Sequence, residues 1–66
     1  MKLTDKQAAF IREYIIDRNA TQAAIRAGYS VKTARQIGEE NLTKPDIRSA
    51  VDAALLAMAE KTETEA

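Results

Sequence analysis

The run Asn19-Ala20-Thr21-Gln22-Ala23-Ala24-Ile25-Arg26-Ala27-Gly28-Tyr29-Ser30-Val31-Lys32-Thr33-Ala34-Arg35-Gln36-Ile37-Gly38-Glu39-Glu40-Asn41-Leu42 decides how this chain folds. Asn19 is a good N-cap with Gln22 at the third helical position, and Ala20, Ala23, Ala24 and Ala27 form the inner face of the short helix it opens. Gly28 ends that helix, because a left-handed backbone is cheap only without a Cβ. Ser30 is the expected cap of the next helix, through about Asn41, with Val31, Ala34, Ile37, Gly38 and Leu42 inward. A small residue (Ala24), then Gly28, the apolar plug Tyr29, and Ala34 with Ile37 facing the core is the arithmetic of a helix-turn-helix. The same spacing also fits any two-helix hairpin with a glycine cap.

Working outward, Thr4 and Gln7 form a capping box with Leu3 as its staple, and Gln7, Phe10, Ile11, Tyr14 and Ile15 mark one helical face over about residues 5–17. Pro45 stands as a first helical residue, where its missing amide costs nothing, with Asp46 at the positive end of the dipole. Ile47, Ala50, Val51, Ala54, Leu55 and Met58 then make an apolar stripe longer than a small core needs. The reading is a compact all-α bundle of four helices, the fourth extended. Its expected core is Phe10, Tyr14, Ile15, Ala24, Tyr29, Ile37, Leu42, Ile47 and Val51. Residues 1–60 form one domain, and residues 61–66, with no apolar anchor, are a flexible acidic tail or the start of a linker.

Composition narrows the function. Among 66 residues there is no Cys and no His, so disulfides, thiol or imidazole catalysis and the usual soft metal ligands are excluded. The carboxylates are scattered over helix surfaces and no glycine-rich phosphate loop is present, so we expect a non-enzyme without cofactor or metal. The longest apolar run, residues 53–59, is far short of the roughly 20 needed to span a bilayer, and the N-terminus lacks an apolar signal region. The expected chain is soluble and intracellular. Its zero net charge conceals a segregation. Residues 1–38 carry seven cations against three acids, a net +4, and residues 39–66 carry the reverse. A basic half of that kind suits a polyanionic partner.

If the helix after Gly28 is the reader, its outward residues near the N-terminal end are Ser30, Val31, Lys32, Thr33, Arg35 and Gln36. Such side chains address phosphates and base edges, Arg favouring guanine and Gln adenine. Glu39 and Glu40 lie further along, where they would repel phosphate. The N-terminal half of the helix should therefore enter the groove.

The run from Asn19 to Ser30, followed by Thr33-Ala34, Leu42-Thr43, Pro45 and Ile47, closely resembles the N-terminal domain of small terminase subunits from tailed bacteriophages. Upstream, Leu3-Thr4, Lys6-Gln7, Phe10 and Glu13-Tyr14 fit the same pattern, so the resemblance covers about residues 3–55. It implies recognition of packaging sites on viral double-stranded DNA in the host cell cytoplasm. It also implies delivery of that DNA to the large terminase subunit, and a homo-oligomeric ring in the full-length protein. Thr21, Gln22, Arg26 and Lys6 complete the candidate DNA-binding set. A helix-turn-helix transcriptional regulator and a helical protein-interaction module are the alternatives.

Overall fold

Capping chemistry written in the sequence starts the first two helices. A computed structural model describes residues 3–65, with side chains described through Ala59; Met1, Lys2 and Ala66 lie outside the described residues. The Gln7 amide donates to Thr4 Oγ1 at 3.1 Å and the Thr4 amide to Gln7 Oε1 at 3.0 Å. This reciprocal box opens α1 (Asp5–Asp17). Only Arg18 and Asn19 join α1 to α2 (Ala20–Arg26), and so short a link forces a reversal: Arg18 takes a φ of 56°. Left-handed backbone at a residue with a Cβ is uncommon and costs on the order of 1 kcal/mol. Asn19 then caps α2 through Oδ1, which accepts from the Gln22 amide at 3.1 Å.

The end of α2 is a Schellman motif. The Tyr29 amide reaches the Ala24 carbonyl at 3.0 Å, the Gly28 amide reaches Ile25 at 3.1 Å, and Gly28 sits at φ 102°. The expectation that Ser30 caps the next helix is corrected here. Residues 30–33 form a separate turn, in which the Thr33 amide donates to the Ser30 carbonyl at 3.1 Å, and α3 runs Ala34–Thr43. Two β-branched residues, Val31 and Thr33, disfavour an earlier start. Val31 accordingly leaves the inner face and is 73% exposed. Pro45 and Asp46 open α4 (Pro45–Glu65) as expected.

Each helix supplies part of one core: Phe10 and Ile11 from α1, Ala23 and Ala24 from α2, Ala34 from α3, Ile47 and Val51 from α4. Phe10, Ile47 and Val51 are the largest fully buried side chains. Tyr14 stacks on Phe10 with ring centroids 5.8 Å apart, and Tyr29 and Leu42 pack against the cluster as expected. Ile15 and Ile37, placed in the same core by periodicity, are half-buried like Tyr14, Tyr29 and Leu42 but do not belong to the set packed against the cluster. With alanines at the centre, α2 and α3 approach closely. A Cβ on Gly38 would lie 2.7 Å from the Ala20 carbonyl oxygen. The C-terminal half of α4 outruns the core, leaving Leu56 and Met58 exposed. Its helical backbone continues to Glu65, into the stretch expected to fray. Residues 60–65 contain neither Gly nor Pro, so nothing in the local sequence breaks the helix before Glu65.

Candidate nucleic-acid interface

The turn between α2 and α3 and the start of α3 carry six of the ten candidate residues. Ser30, Val31, Lys32 and Thr33 are all exposed on the connecting turn, and Arg35 and Gln36 are exposed on the first turn of α3. The Schellman bonds hold the turn from one side, and buried Ala34 fixes it from the other. Thr33 occupies the α3 N-cap position without a side-chain bond to the helix, its hydroxyl donating instead to the Ser30 carbonyl at 3.4 Å. The first amides of α3 are therefore left without the side-chain caps that α1 and α2 possess.

Packing brings α1 to the same place. Lys6 Nζ lies 5.4 Å from the centroid of the Tyr29 ring, and Lys6 Cε is the atom nearest to where a Gly28 Cβ would stand, at 3.8 Å. A cation from the first turn of α1 thus sits beside the turn that carries Lys32. No acidic group lies within ion-pair distance of Lys6 or Lys32 among the described residues. Arg35 has one such neighbour, Glu39, at 3.7 Å, but both side chains are largely in water and a pair of that kind contributes little. Gln36 meets Glu40 at 3.4 Å on the same exposed side.

Three other candidates stand apart from this group. Thr21 and Gln22 belong to the first turn of α2, which crosses α3 at Gly38, about one helical turn beyond Arg35. Arg26 is engaged elsewhere: Nε donates to Glu13 Oε1 at 2.8 Å, and Nη2 donates to the Glu13 carbonyl at 3.1 Å and to Asp17 Oδ1 at 3.2 Å. This guanidinium fastens α2 to α1. Its carboxylate partners raise its pKa further, Glu13 first and Asp17 second. Asp17 is held below the ordinary 3.8, first by the Asn19 amide and, against some opposing desolvation, by Arg26.

A clamp of this kind has a testable pH signature. Because the Asp17 carboxyl is a stronger acid when folded, its contribution is whole above the ordinary carboxylate range and fades as pH falls through the lowered value. Asp17→Asn is expected to flatten part of the acid limb of thermal stability. Arg26→Ala is expected to lower the melting temperature at neutral pH. Melting curves from pH 2 to 7 check both; an unchanged Tm for Arg26→Ala would sink the clamp.

Two further cations of the basic half, Arg12 in the middle of α1 and Arg18 at its C-cap, are exposed and were not among the candidates. The two-residue link was the available signal for the unusual backbone at Arg18. Among the described residues no helix is long and apolar enough to cross a membrane, and no cluster of His, Cys, Asp or Glu could hold a metal ion.

Comparison with known proteins gives the family of the chain. The family model described as terminase small subunit matches residues 3–66. The terminase small subunits of Bacillus phages SF6 and rho15 are each 57% identical over 61 residues, and that of Bacillus phage SPP1 is 46% identical over 61. Those alignments cover 91% of this chain and 42% of each relative, so the chain spans less than half the length of the relatives it matches. By family model and by identity alike, the chain belongs to the terminase small subunit family.

Proposed function

We propose that this domain binds double-stranded DNA through α2, the turn and α3, recognising packaging-site DNA. In the full-length protein it presents that DNA to the large terminase subunit in the host cytoplasm, as part of a homo-oligomeric ring. The observation that carries this reading is the convergence of Lys6 with the turn bearing Lys32, two cations without acidic partners among the described residues, beside the exposed start of α3. Phosphates attract such cations, and the N-terminal residues of the second helix are those that reach base edges. The bare first amides of α3 favour phosphate in the same place. Arg26 enters as a positioning residue, holding α2 while Lys6, Lys32 and Arg35 face the duplex.

Fluorescence anisotropy with a labelled duplex tests the assignment, on variants first shown to melt like the wild type. Lys32→Ala and Arg35→Ala are each expected to weaken binding severalfold. Arg48→Ala, on α4 and already 3.6 Å from Asp52, is expected to be nearly silent. If Arg48→Ala costs more than the other two together, the reading surface has been placed on the wrong half of the chain. A protein-interaction module built on the exposed Leu56 would instead show no salt-sensitive DNA binding at all.

A further inference from the structure

Val31 is the most exposed large hydrophobic residue described, at 73%, and it is the one such residue on the unit formed by α2, the turn and α3; Ile16 lies on α1, and Leu56 and Met58 on α4. It does not sit on a loose loop. The turn is held by the Schellman bonds before it, by the bond from the Thr33 amide to the Ser30 carbonyl, and by Ala34, fully buried, immediately after it. A β-branched side chain on such a frame has little rotamer freedom to lose on contact. Its neighbours Ser30, Lys32 and Thr33 are all polar and exposed, so Val31 is a single apolar group in a polar surface and does not form a patch that a protein partner would bury.

Resting on the DNA-binding reading, we infer that Val31 contacts the C5-methyl group of a thymine in the major groove and gives this domain a preference for thymine at the base pair beneath the turn. The chemistry leaves few alternatives. In the major groove each base pair presents hydrogen-bond donors and acceptors, and the thymine methyl is the apolar group among them. An isopropyl side chain next to any other base edge would desolvate polar atoms without replacing their bonds. Lys32 beside it supplies attraction to phosphate regardless of sequence, while Val31 supplies the discrimination.

The test uses two labelled duplexes of about 24 base pairs, alternating adenine-thymine and alternating adenine-uracil, which differ only in the C5-methyl groups. Thymine then lies under the turn in every second register. Wild-type domain is expected to bind the uracil duplex about three- to fivefold more weakly, the scale of one buried methyl group. Val31→Ala is expected to bind both duplexes equally while melting like the wild type, since the side chain is exposed. Equal binding of both duplexes by the wild type overturns the inference and leaves the DNA-binding reading intact. A preference that survives in Val31→Ala also overturns it, assigning the effect to duplex shape. Failure to bind either duplex overturns both.

Discussion

Gly38→Val is expected to lower the melting temperature by more than 15 °C or to leave the domain unfolded at room temperature. A Cβ at this position stands 2.7 Å from the Ala20 carbonyl oxygen, 2.9 Å from its carbonyl carbon and 3.0 Å from its Cβ. These belong to the backbone and first side-chain carbon of α2, which cannot swing aside as a flexible side-chain end would. Overpacking by even small groups costs roughly 1–3 kcal/mol, and a branched side chain driven against backbone should exceed that. A domain of 66 residues has on the order of 3–10 kcal/mol in total, and each 1 kcal/mol moves Tm by about 4–8 °C. Gly28→Val provides the contrast. There the nearest described atom, chain neighbours aside, is Lys6 Cε at 3.8 Å, an ordinary contact, and the cost comes from φ 102°, about 1–3 kcal/mol. Thermal melts followed by circular dichroism should therefore rank Gly38→Val below Gly28→Val. The reverse order would mean that α2 and α3 do not cross at Gly38.

That ranking separates what was legible in the sequence from what was not. The capping box of α1, the Asn19 cap of α2, the glycine at its end and Pro45 at the start of α4 were readable because each acts within about one helical turn of itself. The left-handed Gly28 follows from the same local rule. Gly38 was placed on the inner side of its helix, but its close approach to Ala20 depends on how two helices cross. Local rules did not fix the start of α3 either. Ser30 is a good cap by type, yet a hydrogen-bonded turn takes up residues 30–33 before the helix begins. Buried Asn41, whose Nδ2 has no hydrogen-bond partner among the described residues, looked like a polar helix end.

Candidate site residues divide along the same line. The exposed positions from Ser30 to Gln36 could be named from spacing, since they flank the glycine turn. Contacts that span the chain could not. Arg26 looked like one more cation in a basic half, and only folding brings it to Glu13 and Asp17. Lys6 lies more than twenty residues from Tyr29 in sequence and yet rests over its ring. The described cations of the basic half are thus resolved into one clamp, one exposed cluster and the separate exposed cations Arg12 and Arg18.

Binding of a mixed-sequence duplex is expected to weaken about 40-fold between roughly 50 and 200 mM salt. Three cations, Lys6, Lys32 and Arg35, are placed to replace condensed counterions, which sets a log–log slope near −0.9 × 3, or about −2.7. Lys32→Ala should reduce the magnitude of that slope by about one unit, and Lys6→Ala should do the same despite its distance in sequence. Arg26→Ala should leave the slope unchanged while lowering Tm, because its guanidinium is held by Glu13 and Asp17. A titration series at four salt concentrations distinguishes these cases. If Arg26→Ala flattens the slope and Lys6→Ala does not, the duplex lies along α2 and not across the turn. A slope near zero for the wild type would remove the electrostatic basis of the interface altogether. The overall charge of zero does not foretell that outcome. Screening confines each charge to about 10 Å at 0.1 M salt, so a phosphate beside the turn responds to the charges around it and not to the net charge of the whole chain.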